Sequence, residues 1–190
     1  MTANDLRSGM TILLGGKVHQ VLEAQHIKPG KGGAFSRVKL KNLETGTIID
    51  QTFRAAEKVE QAIVERKALE YLYRTGEQFV FMDPETYEQI HLSVDRVQRI
   101  VGFLKENTEV NVTMHAGQVI EISLPTFLVL EVAETDPGVR GDTATGGSKP
   151  AKLETGGVVK VPLFINVGDK VRIDTRTGEY LERVSEASQR

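Results

Sequence analysis

The sequence predicts an all-β protein assembled from three small blocks, and three features carry that expectation. Apolar residues recur in short runs with polar or Gly-containing breaks, four Thr-Gly pairs punctuate those runs, and helix-forming patterns are confined to short stretches. Residues 10–14, 17–25, 34–41 and 47–54 each read as strands. The Thr-Gly pairs end at Gly46, Gly76, Gly156 and Gly178, and an apolar-rich run follows each one. Glycine supplies the positive φ that a hairpin turn needs, so these sites are expected to be hairpins. Their irregular spacing excludes a solenoid repeat.

Two stretches require separate treatment. Residues 62–72 contain good helix formers, yet Leu69, Tyr71 and Tyr73 alternate and the apolar run Phe79–Met82 follows a Thr-Gly turn. The second half of 57–73 is therefore expected to be a strand, leaving at most a short helix near 57–63. Residues 94–100 read as a short helix started by Ser93, with Val94, Val97 and Val101 on one face. The blocks fall at 1–65, 66–128 and 129–190. Each is near the lower size limit for an independent core, so packing between blocks should matter. Residues 185–190 read as a frayed tail.

Composition narrows the function. The 190 residues are 39% hydrophobic and 26% charged, ordinary values for a soluble globular chain. There is no cysteine, which excludes disulfides, thiolate zinc sites and a Cys nucleophile and suits a reducing cytosol. The N-terminus has no apolar core of a secretory signal, and no apolar run is long enough to span a membrane. A cytoplasmic, membrane-free protein is expected.

The net charge of −2 hides an uneven distribution. Residues 1–65 carry 9 basic against 7 acidic groups, residues 66–128 carry 6 against 9, and residues 129–190 carry 9 against 10. Between Glu23 and Glu44 there is no carboxylate, while Lys28, Lys31, Arg37, Lys39 and Lys41 lie there with His26. That is a basic arm on a mildly acidic body, and electrostatic binding follows the distribution rather than the sum.

Within the arm, Pro29-Gly30-Lys31-Gly32-Gly33 separates two strand-like segments. Pro29 fixes φ on entry, and Gly30, Gly32 and Gly33 permit conformations barred to other residues. The loop thus holds one side chain, Lys31, at its apex. Strands of about eight residues would carry that apex roughly 25 Å from the hairpin base. Basic groups along such an arm favour entry into an RNA-walled channel, and the flanking glycines keep the tip slim. A solvated hairpin turn whose Lys merely aids solubility fits the same residues. A phosphate-cradling P-loop does not, because its spacing is absent.

The remaining candidates have plainer readings. Arg140-Gly141-Asp142 is a common tripeptide in a β loop. The following run to Ser148 resembles a P-loop but lacks Lys before Ser148, and Pro150 opposes the helix that must come next. Backbone and hydroxyl contacts to RNA from this loop are the alternative. Asp83 and Glu85 lie in an apparent turn, and His19, His26, His91 and His115 lack metal spacing. No catalytic set, metal site or cofactor is expected.

Residues 136–168 are similar to the C-terminal motif of bacterial translation elongation factor P, through Lys149, Ala151, Gly156, Val159, Val161, Pro162, Ile165 and Gly168. The Pro29–Gly32 loop, Leu43–Gly46, the region around Tyr71 and Phe81–Tyr87 also resemble that family, so the likeness covers essentially the whole chain. The resemblance implies an SH3-like (KOW-like) first domain, 1–65, and two OB-fold domains, 66–128 and 129–190, arranged in an L like tRNA. It implies a monomeric non-enzyme that binds both ribosomal subunits between the P and E sites when synthesis stalls on consecutive prolines. Lys31 would then reach the CCA end of P-site peptidyl-tRNA, with Lys28, Arg37, Lys39 and Lys41 lining the RNA-contacting arm. The loop of Arg140, Gly141, Asp142, Thr143, Gly146, Gly147, Ser148 and Lys149 would lie near mRNA. In the family the tip carries β-lysylation, aminopentanol or, on an arginine, rhamnose; Lys31 rules out only the last and leaves a Lys31-modifying enzyme as a partner. A paralogue acting on a different stalling set or RNA remains the alternative.

Overall fold

The computed structural model describes residues 1–138 and 147–184. Its strands form three five-stranded sheets. The first contains β1 (Thr11–Leu14), β2 (Lys17–Ile27), β3 (Phe35–Asn42), β4 (Ile48–Arg54) and β5 (Glu60–Gln61), in the order β4-β3-β2-β1-β5. The second contains β6 (Glu65–Thr75), β7 (Gln78–Met82), β8 (Gln89–Ser93), β9 (Glu109–His115) and β10 (Gln118–Ser123), in the order β10-β9-β6-β7-β8. The third contains β11 (Phe127–Thr135), β12 (Ser148–Leu153), β13 (Val158–Pro162), β14 (Lys170–Asp174) and β15 (Glu179–Val184), in the order β13-β12-β11-β14-β15. The all-β expectation is met.

Period-two alternation explains why these residues form strands with one buried face. On β3, Ser36, Val38 and Leu40 point inward while Arg37 and Lys39 face solvent. On β12, Lys149, Ala151 and Leu153 point inward. The four Thr-Gly turns join β3 to β4, β6 to β7, β12 to β13 and β14 to β15, and all four glycines have positive φ, between 59° and 88°.

By compactness the chain divides into two units. The first is Met1–Lys67 with Val112–Glu121; the second is the described part of Ala68–Asn111 with Ile122–Arg190. Two apolar clusters fill the first: Ala3, Leu6, Ile12, Val21, Val38, Leu40, Phe53 and Val59, and a smaller one of Val18, Leu43, Ala62 and Ile120. In the second, Tyr71 packs against Phe81 and Phe79 at ring-centroid distances of 5.3 and 6.0 Å, and the third sheet encloses Leu130, Val132, Leu153, Val161, Ile165 and Ile173.

Residues 57–63 contain no helix. Val59 N donates to Met1 O at 2.9 Å, Ala62 N donates to Thr11 O at 2.9 Å, and β5 pairs with β1. The extended backbone places Val59 in one apolar cluster and Ala62 in the other, so tertiary burial overrides helix propensity. A helix does follow Ser93, but α1 (Val94–Val97) is a single turn, and Ser93 makes no side-chain cap bond. Within it only Val97 is buried, joined by Ile100 just beyond its end, rather than the expected Val94, Val97 and Val101.

Inside the second unit, the β12–β13 turn is locked onto a 3-10 turn at Val101–Phe103. Thr155 Oγ1 donates to Gly102 O at 2.6 Å, and Lys105 Nζ pairs with Glu154 Oε1 at 2.9 Å. Burial pushes the Glu154 carboxyl up, but the Glu131 N–H and the Lys105 ammonium outweigh it and hold the group below the usual carboxylate range.

Candidate functional site

The segment at residues 28–34 joins β2 to β3, and Lys28, Pro29, Gly30, Lys31, Gly32 and Gly33 are all solvent-exposed. Of the three loop glycines only Gly32 has a positive φ, +118°, so it alone supplies the turn that a side chain would oppose. A Cβ built at Gly30 or Gly33 meets nothing within 4 Å. Those two leave the tip slim rather than bend it.

The stem is stiffer than a two-stranded arm. β2 and β3 pair from His19↔Asn42 to Ile27↔Phe35, and β4 follows β3 to the last rung, Phe35↔Arg54. Ala55 N then donates to Ala34 O at 3.0 Å. Only the loop itself extends beyond the sheet, and a third strand braces its base.

Arg37 and Lys39 lie on the exposed face of β3, as expected of the arm. The acid-free stretch of sequence is not acid-free in space, however. Lys39 sits opposite Glu23 on β2 and Asp50 on β4, and these residues share a recess of about 450 Å³ with Gln25 and Arg37. Lys41 is half-buried and pairs with Glu121 at 2.8 Å. Its charge is committed within the first unit.

The exposed cations at Lys28, Arg37 and Lys39 yield a prediction. If the arm approaches ribosomal RNA, Lys28→Glu combined with Arg37→Gln should weaken ribosome association and flatten its dependence on salt, because fewer phosphate contacts release fewer counterions. Lys39 stays in place because Glu23 and Asp50 flank it. Sedimentation over a salt series checks this; equal affinity at every salt concentration would remove the arm from the RNA contacts. Lys41→Glu should instead disturb folding, since it places two carboxylates together.

In the third sheet, Arg140, Gly141, Asp142, Thr143 and Gly146 lie outside the described residues. Ser148 is exposed at the start of β12. Lys149 occupies a different place from the one expected: it is 7% exposed, and its Nζ donates to Asp136 O at 2.5 Å. Together with Thr135 Oγ1 donating to Pro150 O at 2.9 Å, it ties the two flanks of the segment at its base. A groove of about 950 Å³ beside it is lined by Val158, Pro162, Phe164, Thr177 and Tyr180.

Several ionisable groups serve local structure. Asp83 Oδ1 accepts from the backbone N–H of Glu85 and Thr86, the turn expected of it. Arg176 grips Asp174 through Nε and Nη2 and holds its carboxyl at about 2. Burial raises Tyr71 and Tyr180. Among the described residues these groups do not converge on one point.

One contact at the loop base was not legible beforehand. Arg7 Nη1 lies 2.9 Å from His26 Nε2, and His26 Nδ1 lies 2.8 Å from Ser36 Oγ. The sequence places His26 in the basic arm, and only the register His26↔Ser36 and the path of the N-terminal segment reveal its role.

Comparison with known proteins decides the family. Residues 2–59 match the elongation factor P KOW-like domain, residues 64–122 the elongation factor P OB domain, and residues 128–183 the elongation factor P C-terminal domain. The chain belongs to the elongation factor P family. Elongation factor P from Thermoanaerobacter sp. (strain X514) is 57% identical over 184 residues, covering 97% of this chain and 100% of the relative. The Coprothermobacter proteolyticus elongation factor P is 58% identical, covering 97% and 99%. Among solved structures, eukaryotic translation initiation factor 5A from Methanococcus jannaschii aligns with a TM-score of 0.53 and 26% identity, covering 65% of this chain and 91% of that one. An elongation factor P fold of KOW-like and OB domains thus accounts for the sheets, and its role lies in translation elongation.

Proposed function

We propose that the protein binds the ribosome between the P and E sites and speeds peptide-bond formation on peptidyl-tRNA stalled at consecutive prolines, with Lys31 positioning the CCA end. The observation that carries this reading is the single exposed amine at the apex of a slim loop whose base is braced by three strands. Proline is a poor nucleophile with a restricted backbone, so its stalled substrates are misaligned. A cation presented from a braced base that restrains the CCA end restores near-attack geometry, a proximity effect that needs no catalytic group.

In this reading the chain acts as three domains, 1–65, 66–128 and 129–190. Its partners are both ribosomal subunits, P-site peptidyl-tRNA and mRNA, with a modifying enzyme at Lys31. The loop at 140–149 lies beside mRNA, where Ser148 contacts RNA and Lys149 fixes the loop base.

Single-turnover peptide-bond formation, with and without the protein, tests the reading. Stimulation should be large on consecutive-proline templates and near unity on phenylalanine templates. Stimulation confined to a non-proline template would favour a paralogue with another stalling set, and none on any template would refute the proposal.

A further inference from the structure

We propose that His26 is a positioning residue for the Lys31 loop, acting as a neutral ring that bridges three chain segments and releases the stem when it gains a proton. The inference rests on the reading that Lys31 is the working group; the bridge itself is a matter of geometry. His26 lies one rung below the last β2–β3 pair, Ile27↔Phe35, at the point where the chain leaves the sheet for the loop.

The shorter contact selects the tautomer. A guanidinium has donors only, so His26 Nε2 accepts in the 2.9 Å contact with Arg7 Nη1, and the longer 3.3 Å approach of the same nitrogen to Leu6 O is left without a proton. The ring proton then sits on Nδ1 and is donated to Ser36 Oγ at 2.8 Å, and Ser36 is fully buried. Arg7 Nη1 shares its two hydrogens among His26 Nε2, Asn4 O at 3.0 Å and Leu6 O at 2.8 Å. One neutral imidazole therefore joins β2, β3 and the segment before β1.

A proton from solvent on Nε2 converts that acceptor into a donor. The bond with Arg7 breaks, two cations face each other, and the new N–H competes with Arg7 for Leu6 O, which lies 3.3 Å from Nε2. The charged groups bearing on the ring are Arg7 from the N-terminal segment, Asp5 through its attraction to Arg7, and Lys28 two residues along the strand; β3 presents only Ser36, which does not titrate. No carboxylate is bonded to the ring among the described residues.

The test is nitrogen and amide NMR of the full chain, titrated from about pH 8 to 5. At the high end the His26 ring should show the Nδ1–H tautomer. The amides of Gly30, Gly32 and Gly33 should shift along the ring's own titration curve, while those of Gly76 and Gly178 stay still. His26→Gln should fold and lose the coupled shift. In the peptide-bond assay the ratio of wild-type to His26→Gln stimulation should fall as pH falls, and His26→Ala should be slower by up to about a hundredfold, the cost a displacement of about an ångström can carry.

An Nε2–H tautomer at high pH, or loop amides that ignore the ring's titration, would overturn the proposal. Failure of the Lys31 reading looks different: Lys31→Ala would remain active while the coupled shifts persisted.

Discussion

Lys31→Ala protein should lose its stimulation of consecutive-proline synthesis while unfolding at nearly the wild-type temperature. The side chain is exposed at the loop apex, and surface substitutions usually change stability by no more than about 0.5 kcal/mol. Lys31→Arg keeps the charge but replaces a compact ammonium with a planar fork and removes the amine a modifying enzyme would need. If charge alone restrains the CCA end, Arg restores stimulation; if an extended amine is required, Arg resembles Ala. The second outcome is expected for protein from its native host. Intact mass before and after the assay separates the two causes, because an unmodified wild-type chain with full activity would make the amine itself sufficient.

The largest stability effect from a small change is expected at Gly157. A Cβ there would overlap the carbonyl oxygen of Gly102 and lie 2.9 Å from its carbonyl carbon. Neither atom can retreat, since Thr155 Oγ1 holds the same carbonyl at 2.6 Å and Lys105 pairs with the adjacent Glu154. Gly157→Ala should therefore cost about 1–3 kcal/mol, the usual penalty for forcing extra volume into a packed site. Removing the hydroxyl with Thr155→Val should cost less, about 1 kcal/mol. Urea unfolding followed at Tyr71 and Tyr180 checks the ranking, and an unchanged midpoint for Gly157→Ala would show that the turn can shift.

Much of the fold was legible because strand period and turn chemistry are local. Four Thr-Gly pairs located four hairpins. Local propensity failed where distant partners decide. Residues 57–63 contain helix formers, but Met1, Thr11 and β1 pair with them and hold them extended. The loop was legible for the same reason as the turns, since Pro29 and three glycines interrupt the strand pattern on both sides of Lys31. The charge pattern was only partly so: a linear window cannot reveal that Asp50 faces Lys39, that Glu121 takes Lys41, or that the Lys149 amine turns inward. Each depends on a strand pairing or a contact between residues far apart in the chain, and so does the bridge from Arg7 to His26.

The central claim is that the tip of this loop stands beside the CCA end of peptidyl-tRNA. The chain contains no cysteine, so one introduced thiol is unique. Gly33→Cys suits the purpose, because a side chain there meets nothing within 4 Å and Lys31 is left in place. A tethered iron chelate on that thiol, bound to ribosomes stalled at consecutive prolines, releases hydroxyl radicals that cut nearby RNA. The account predicts cleavage at the 3′ end of the P-site tRNA and in the ribosomal RNA of the peptidyl-transferase centre. Cleavage confined to other regions, with the 3′ end of that tRNA intact, would contradict it.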